Sequence, residues 1–260
     1  MKHTSMEAIV ARMRETESHL TVVVGDSLTE GIRVEDPEDV YVAAFARGLA
    51  EHFPDRRVVR YDGRRYDHPD AELMSVADYG DPITVQDGGA GELTVVRSGI
   101  GGNTVRRMIR RQGDFVGETF LGRRADLLVV EVGVNDALCC DPAKYVTADI
   151  FGRDLYELLD LFEKENPDTD VIFMTPTYND VGDKPSSCVD SYDAEMQRVA
   201  RERGVPVVDL HRLWMSHLEV GSYHYGQREW LTGVLGDTCH PSPEGHRAIA
   251  EEMLRTIFEK

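Results

Sequence analysis

At 260 residues, the chain is long enough to bury a substantial core without disulfide or metal staples. Hydrophobic residues at 41% and charged residues at 29% exclude a disordered chain. A net charge of −18 argues against a nucleic-acid partner, which would need basic patches.

No run approaches the roughly 18 apolar residues that a membrane span needs. Residues 1–20 lack the continuous apolar stretch of a secretory leader, so the expected location is the cytoplasm. Cys139, Cys140, Cys188 and Cys239 form no C-x-x-C pair, and adjacent cysteines suit neither an ordinary disulfide nor a zinc site. Free thiols are the expectation.

In chain order, Met6, Ile9, Val10 and Met13 share one helical face, which predicts an amphipathic N-terminal extension over residues 1–18. Its apolar stripe could be covered by a second copy of the chain. L-T-V-V-V at 20–24 reads as a buried strand ending in Gly25-Asp26-Ser27. Asp36-Pro37 marks a helix start, and that helix is expected to run to Phe53 with Val42, Phe45 and Leu49 inward. Residues 54–92 are rich in arginine, aspartate, tyrosine and glycine. They read as an insertion within a single domain spanning 1–260, with extended pieces at 57–61 and 83–86. A turn at 87–91 would then form a hairpin into the strand at 93–96. Further strands are expected at 127–132, 171–174 and 207–210. Helices are expected around Leu155–Phe162, around Met196–Ala200, and from Pro243 onward. Strands alternating with helices imply a parallel sheet covered on both faces.

In such sheets the working residues sit at the carboxyl ends of the strands. Those ends carry G-D-S-L at 25–28, S-G-I-G-G-N-T at 98–104, G-V-N-D at 133–136 and T-P-T-Y-N at 175–179, with D-T-C-H-P at 237–241. A serine becomes a nucleophile when a base takes its proton. A histidine suits that task near neutral pH, and a carboxylate fixes its tautomer. Ser27, His240 and Asp237 supply those types. The N–H groups of Ser27 and Gly102 and the Asn135 amide are candidate donors to an oxyanion. The glycines at 99–102 also suit a tight turn or a phosphate cradle, but no G-K-[ST] follows them. Asp136 and His246 read as structural.

These blocks resemble those of the SGNH hydrolase superfamily, the GDSL-type esterases and lipases. G-D-S-L-T-E-G at 25–31 is similar to the first block, whose serine falls on Ser27. S-G-I-G-G-N-T is similar to the second, placing the oxyanion-hole glycine on Gly102, although Arg97 and Ser98 stand where that block often has asparagine or aspartate. G-V-N-D is similar to the third, giving Asn135, and D-T-C-H-P gives Asp237 and His240. The resemblance implies a flavodoxin-like three-layer α/β/α sandwich. It also implies a metal- and cofactor-independent carboxylic ester hydrolase acting on a small-molecule ester through an acyl-enzyme on Ser27.

The expected substrates are short-chain or acetyl esters of a carbohydrate or similar polar alcohol. The alternatives are a lysophospholipase or thioesterase, or a non-catalytic carbohydrate-binding module on the same fold. Asp26, Tyr178, Trp214, Tyr223 and Trp230 are candidate substrate contacts, and for the aromatic ones core packing is the competing reading. No D-x-H, H-x-H or H-E-x-x-H ligand pairing supports a metallohydrolase, and no G-x-S-x-G elbow supports an α/β-hydrolase.

Overall fold

The computed structural model describes residues 5–65, 76–110, 120–138, 146–177, 187–220 and 240–259. The first half begins with α1 (Met6–Glu15), β1 (Ser18–Gly25), α2 (Ser27–Glu30), a 3₁₀ turn at Pro37–Asp39 and α3 (Tyr41–His52). It continues with β2 (Arg57–Asp62), β3 (Arg64–Arg65), β4 (Val76–Asp78), β5 (Ile83–Gln86), β6 (Glu92–Gly99) and α4 (Val105–Arg110). The second half comprises β7 (Leu127–Glu131), α5 (Val134–Leu138), α6 (Ala148–Glu165), β8 (Asp170–Met174), α7 (Ser187–Arg203), β9 (Val207–Val208), α8 (Leu210–Val220) and α9 (Pro243–Phe258).

Seven strands form the central sheet in the order β5-β2-β6-β1-β7-β8-β9. All neighbours are parallel except β5, which runs antiparallel to β2. The five strands β6-β1-β7-β8-β9 have the flavodoxin-like order, with β1 at the point where the winding reverses. The crevice for a ligand therefore opens beyond the carboxyl ends of β1, β6 and β7.

Buried parallel strands carry near-continuous apolar runs because both faces are covered. Alternate side chains supply two cores. Leu20, Val22, Val24, Leu128 and Val130 meet Met108, Phe151, Leu155 and Met196 on the α4/α6/α7 side. Val23, Val95, Leu127 and Val129 meet Ile9, Met13, Phe45, Leu49, Ile249 and Met253 on the α1/α3/α9 side. The result is the α/β/α sandwich expected from the sequence.

Four local expectations are corrected. The helix foreseen from Asp36 to Phe53 is two pieces, because Val40 is extended (φ −70°, ψ 138°) and separates the 3₁₀ turn from α3. The hairpin of 83–86 with 93–96 does not form. Strand β2 lies between them, with β5 pairing to β2 and β6 pairing to both β2 and β1. The 54–92 segment thus widens the sheet beyond β6. The strand at 207–210 is only two residues long, since Leu210 already begins α8. Finally, half of the N-terminal stripe is taken up inside the chain: Ile9 and Met13 of α1 are buried in its own core beside α9, while Met6 and Val10 pack against that core and stay partly exposed. Arg56 fastens α1 from below, donating to the carbonyls of Met13 (2.8 Å) and Thr16 (2.6 Å). No helix among the described residues is long and apolar enough to cross a membrane.

Candidate active site

The chain leaves the sheet at Gly25, which is in register with Gly99 of β6 and Glu131 of β7. Asp26 then caps a single helical turn, its Oδ1 accepting from the Leu28 N–H at 2.9 Å. Ser27 is the first residue of that turn and is partly exposed.

Two glycines let the turn sit on the strand ends. A Cβ on Gly99 would lie 2.0 Å from the Glu30 backbone nitrogen. A Cβ on Gly25 would lie 2.0 Å from Thr29 Oγ1 and 2.8 Å from Glu131 Oε2. Any side chain at either place would push α2, and Ser27 with it, away from the sheet.

The segments after β6 and β7 are tied to the same point. Ile100 N and Asn103 Nδ2 both donate to the Gly25 carbonyl, each at 3.1 Å. Gly101 N donates to Glu30 Oε2. Gly102 follows in the left-handed region (φ 72°) and is partly exposed. Asn135 lies in the first turn of α5, and its Nδ2 donates to Asp26 Oδ2 at 2.9 Å. Ser27, the Gly101–Gly102 turn and Asn135 are therefore brought together at one rim.

His240, half-buried just ahead of α9, acts electrostatically on Asp26 and on His246. Asp237, Tyr178, Tyr223 and Trp230 lie outside the described residues.

His246 is structural, as the sequence suggested. It is fully buried, stacks on Tyr41 at 5.9 Å, and its Nδ1 accepts from the Tyr41 N–H at 3.3 Å. Burial pushes its pKa down to about 3, so it is neutral wherever His240 could act as a base. Asp136 is likewise internal. Its Oδ1 accepts from Val105 N at 3.3 Å, and burial pushes its pKa up to about 8.

Two expected substrate contacts are corrected. Asp26 has no exposed surface, because its carboxylate is spent on Leu28 N and Asn135 Nδ2. Burial raises its pKa to about 6, against the lowering effect of those bonds and of His240. Trp214 is 2% exposed and belongs to the same apolar cluster as Ile249 and Met253, so its ring packs the core.

Three residues that sequence reasoning passed over, one of them on the serine turn itself, seat that turn on the sheet. Glu131 Oε2 accepts from Asp26 N (3.3 Å) and Thr29 Oγ1 (3.1 Å), and Thr29 Oγ1 is 2.6 Å from the Tyr41 hydroxyl. All three side chains are buried. The available signal was a glutamate closing the apolar run L-L-V-V-E.

Beside this rim, at the carboxyl ends of β2 and β6, is a cleft of about 330 Å³. Arg60, Asp62, Tyr79, Asp81 and Arg97 contribute to its walls. Arg60 is buried and ion-paired to Glu38 (2.6 Å) and Asp62 (3.0 Å). Arg97 pairs with Asp62 (3.3 Å) and donates to the Glu30 carbonyl (2.8 Å), which links the cleft to the turn carrying Ser27. Among the described residues, no three His, Cys, Asp or Glu side chains are grouped as a metal site would require.

The profile of the GDSL-like Lipase/Acylhydrolase family matches residues 83–248, a span that contains Gly102, Asn135, Asp237 and His240 and begins downstream of Ser27. A search of curated proteins returns no match. Among solved structures, the acetylxylan esterase Axe2 from Geobacillus stearothermophilus is 22% identical with a TM-score of 0.62, covering 93% of this chain and 95% of that one. The acetyl xylan esterase AlAXEase is 20% identical with a TM-score of 0.62, covering 90% and 97% respectively. LAE5, an alpha/beta hydrolase enzyme from the metagenome of Lake Arreo, Spain, is 22% identical with a TM-score of 0.61, covering 92% and 94%. At such identities the likeness establishes the fold.

Proposed function

Because the chain belongs to the GDSL-like lipase/acylhydrolase family and is a carboxylic ester hydrolase, we propose that it is a serine esterase whose nucleophile is Ser27. The observation that carries this reading is the tie between Asp26, beside Ser27, and Asn135, with His240 acting on the same carboxylate.

In the proposed reaction, His240 accepts the Ser27 Oγ proton as the oxygen attacks the ester carbonyl carbon. The carbonyl π pair moves onto oxygen. That oxyanion is met by the N–H groups of Ser27 and Gly102 and by the Asn135 amide. Collapse of the tetrahedral species breaks the bond to the alcohol, which leaves with the proton from His240. Water then attacks the acyl-enzyme by the same sequence and releases the acid and Ser27. Asp237 orients the imidazole and stabilises its charged form.

For the substrate, we infer a short acyl group, chiefly acetyl, on a polar alcohol such as a carbohydrate. The charged cleft at the ends of β2 and β6 supports this. Arg97 and Asp62 are ion-paired there, and paired charges on a wall offer donors and acceptors to hydroxyl groups rather than an apolar bed for a chain. Two of the structures with this fold are acetylxylan esterases, which agrees with that choice.

The test is hydrolysis of p-nitrophenyl acetate and of acetylated xylo-oligosaccharides by the purified chain. Ser27→Ala and His240→Ala are expected to lower turnover by up to about 10⁶-fold. Turnover that survives both substitutions rejects Ser27 as nucleophile. Binding of an oligosaccharide with no ester turnover would favour a non-catalytic module.

A further inference from the structure

The floor of the serine turn is built from two carboxyl groups, Asp26 and Glu131, both without solvent exposure. They adjoin in the fold, Asp26 N donating to Glu131 Oε2 at 3.3 Å. Two carboxyl groups buried side by side cannot both keep a charge at low cost, so one of them holds a proton. The surrounding donors identify which. Asp26 receives Leu28 N and Asn135 Nδ2, two N–H groups that favour a carboxylate. Glu131 receives Asp26 N and Thr29 Oγ1 on a single oxygen, Oε2. Its other oxygen, Oε1, is buried and accepts from no donor among the described residues, which suits a protonated oxygen better than a charged one.

We propose that Glu131 is a positioning residue that works as a neutral acid: its O–H pins the Asp26 carboxylate, which in turn fixes the Asn135 amide and the turn that carries Ser27. The proposal rests on the serine esterase reading above. One Nδ2 hydrogen of Asn135 is committed to Asp26, which aims the other in a set direction. Donors held before charge develops are what make an oxyanion site effective. A neutral Glu131 also avoids a second negative charge directly behind a site where an oxyanion must form.

The groups around the pair agree with that assignment. Thr29 of α2 and Tyr41 of α3 adjoin Glu131, while His240 and Asp136 act on Asp26. Arg97 acts on Tyr41, and the largest influences on Glu131 are its burial and Asp26 rather than a cation. Burial and the Asp26 charge both move the Glu131 pKa well above the usual carboxylate range.

Two substitutions in the full chain separate the possibilities. Glu131→Gln keeps an acceptor oxygen and supplies a donor to Asp26 without any charge. Glu131→Met fills similar space with neither. Steady-state kinetics on p-nitrophenyl acetate are measured beside thermal unfolding and the rate at which a phosphonate ester labels Ser27. The expected result is a Gln variant with kcat and labelling rate within about threefold of the unaltered chain. The Met variant should lose about 10²-fold in both, with KM nearly unchanged. A Met variant with full kcat overturns the proposal. So does a Gln variant as impaired as Met, since charge and not a proton would then be required. If the Met variant does not unfold cooperatively, the Gln variant alone decides: retained kcat supports the neutral acid and lost kcat overturns it. Turnover abolished by Ser27→Ala but untouched by Glu131→Met would overturn only the present inference. An unaltered chain with no turnover would overturn both readings.

Discussion

Replacing Gly99 by alanine tests how closely the nucleophile turn is set against the sheet. The new Cβ would stand 2.0 Å from Glu30 N, 2.4 Å from Thr29 C and 2.7 Å from Glu30 Cα. All three atoms are backbone, so no rotamer change relieves the contact. To reach the 3.4 Å at which ordinary contact begins, α2 and the end of β6 must part by more than 1 Å. Overpacking of this kind costs about 1–3 kcal/mol, which in a chain of this size lowers Tm by roughly 2–12 °C. A displacement of about 1 Å at reacting groups can cost about 10²-fold in rate. Gly99→Ala is therefore expected to lower kcat on p-nitrophenyl acetate by about that factor, with the protein still folded well below its Tm. Gly89→Ala is the control, since nothing lies within 4 Å of a Cβ there. A Gly99→Ala enzyme with kcat within threefold of the unaltered chain would refute the close seating of α2.

Three further outcomes follow from the same structure. Asp136 has a pKa of about 8 in the fold and about 4 in an unfolded chain. Between those values the folded state holds a proton that the unfolded chain has released, so stability falls as pH rises, by up to about 1.4 kcal/mol per unit. Asp136→Asn removes that slope while keeping an acceptor for Val105 N; urea unfolding at pH 5, 6.5 and 8 should show its stability advantage widening with pH, and a constant gap would contradict the burial argument. Asp81→Ala, in the wall of the charged cleft, should raise KM several-fold for an acetylated oligosaccharide and leave p-nitrophenyl acetate unaffected; equal effects on both would remove the cleft from substrate recognition. Trp214→Ala should cost about 3–5 kcal/mol in denaturant unfolding, with KM on both substrates unchanged below the unfolding transition, whereas a selective KM effect would mean that the ring does meet substrate.

The β1, β7 and β8 strands were legible because both their faces are buried, which writes an apolar run directly into the sequence. Three of the site blocks, at 25–28, 98–104 and 133–136, were legible for a related reason: each stands at the end of a strand, where a parallel sheet collects its functional groups, whereas the block at 237–241 precedes α9. Strand partners were not legible. The glycine-rich turn at 87–91 has the look of a hairpin, yet β5 pairs with β2, because pairing is decided by which strands share the sheet and not by the turn alone. The break at Val40 escaped notice for want of a glycine or proline to announce it. Glu131 was hidden differently. Its meaning depends on Asp26 and Thr29, more than one hundred residues earlier, and only folding brings them within reach. Trp214 and Asp26 show the reverse error: residue types common in pockets were drawn inward by α8–α9 packing and by the cap of α2.

The most direct measurement of the central claim is to label the chain with a p-nitrophenyl phosphonate ester, digest it, and locate the adduct by mass spectrometry. A single phosphonyl group on Ser27 is expected, formed in step with loss of esterase activity and much more slowly in His240→Ala. An adduct on another residue that tracks the loss of activity, or complete inhibition with Ser27 unmodified, would contradict Ser27 as the nucleophile.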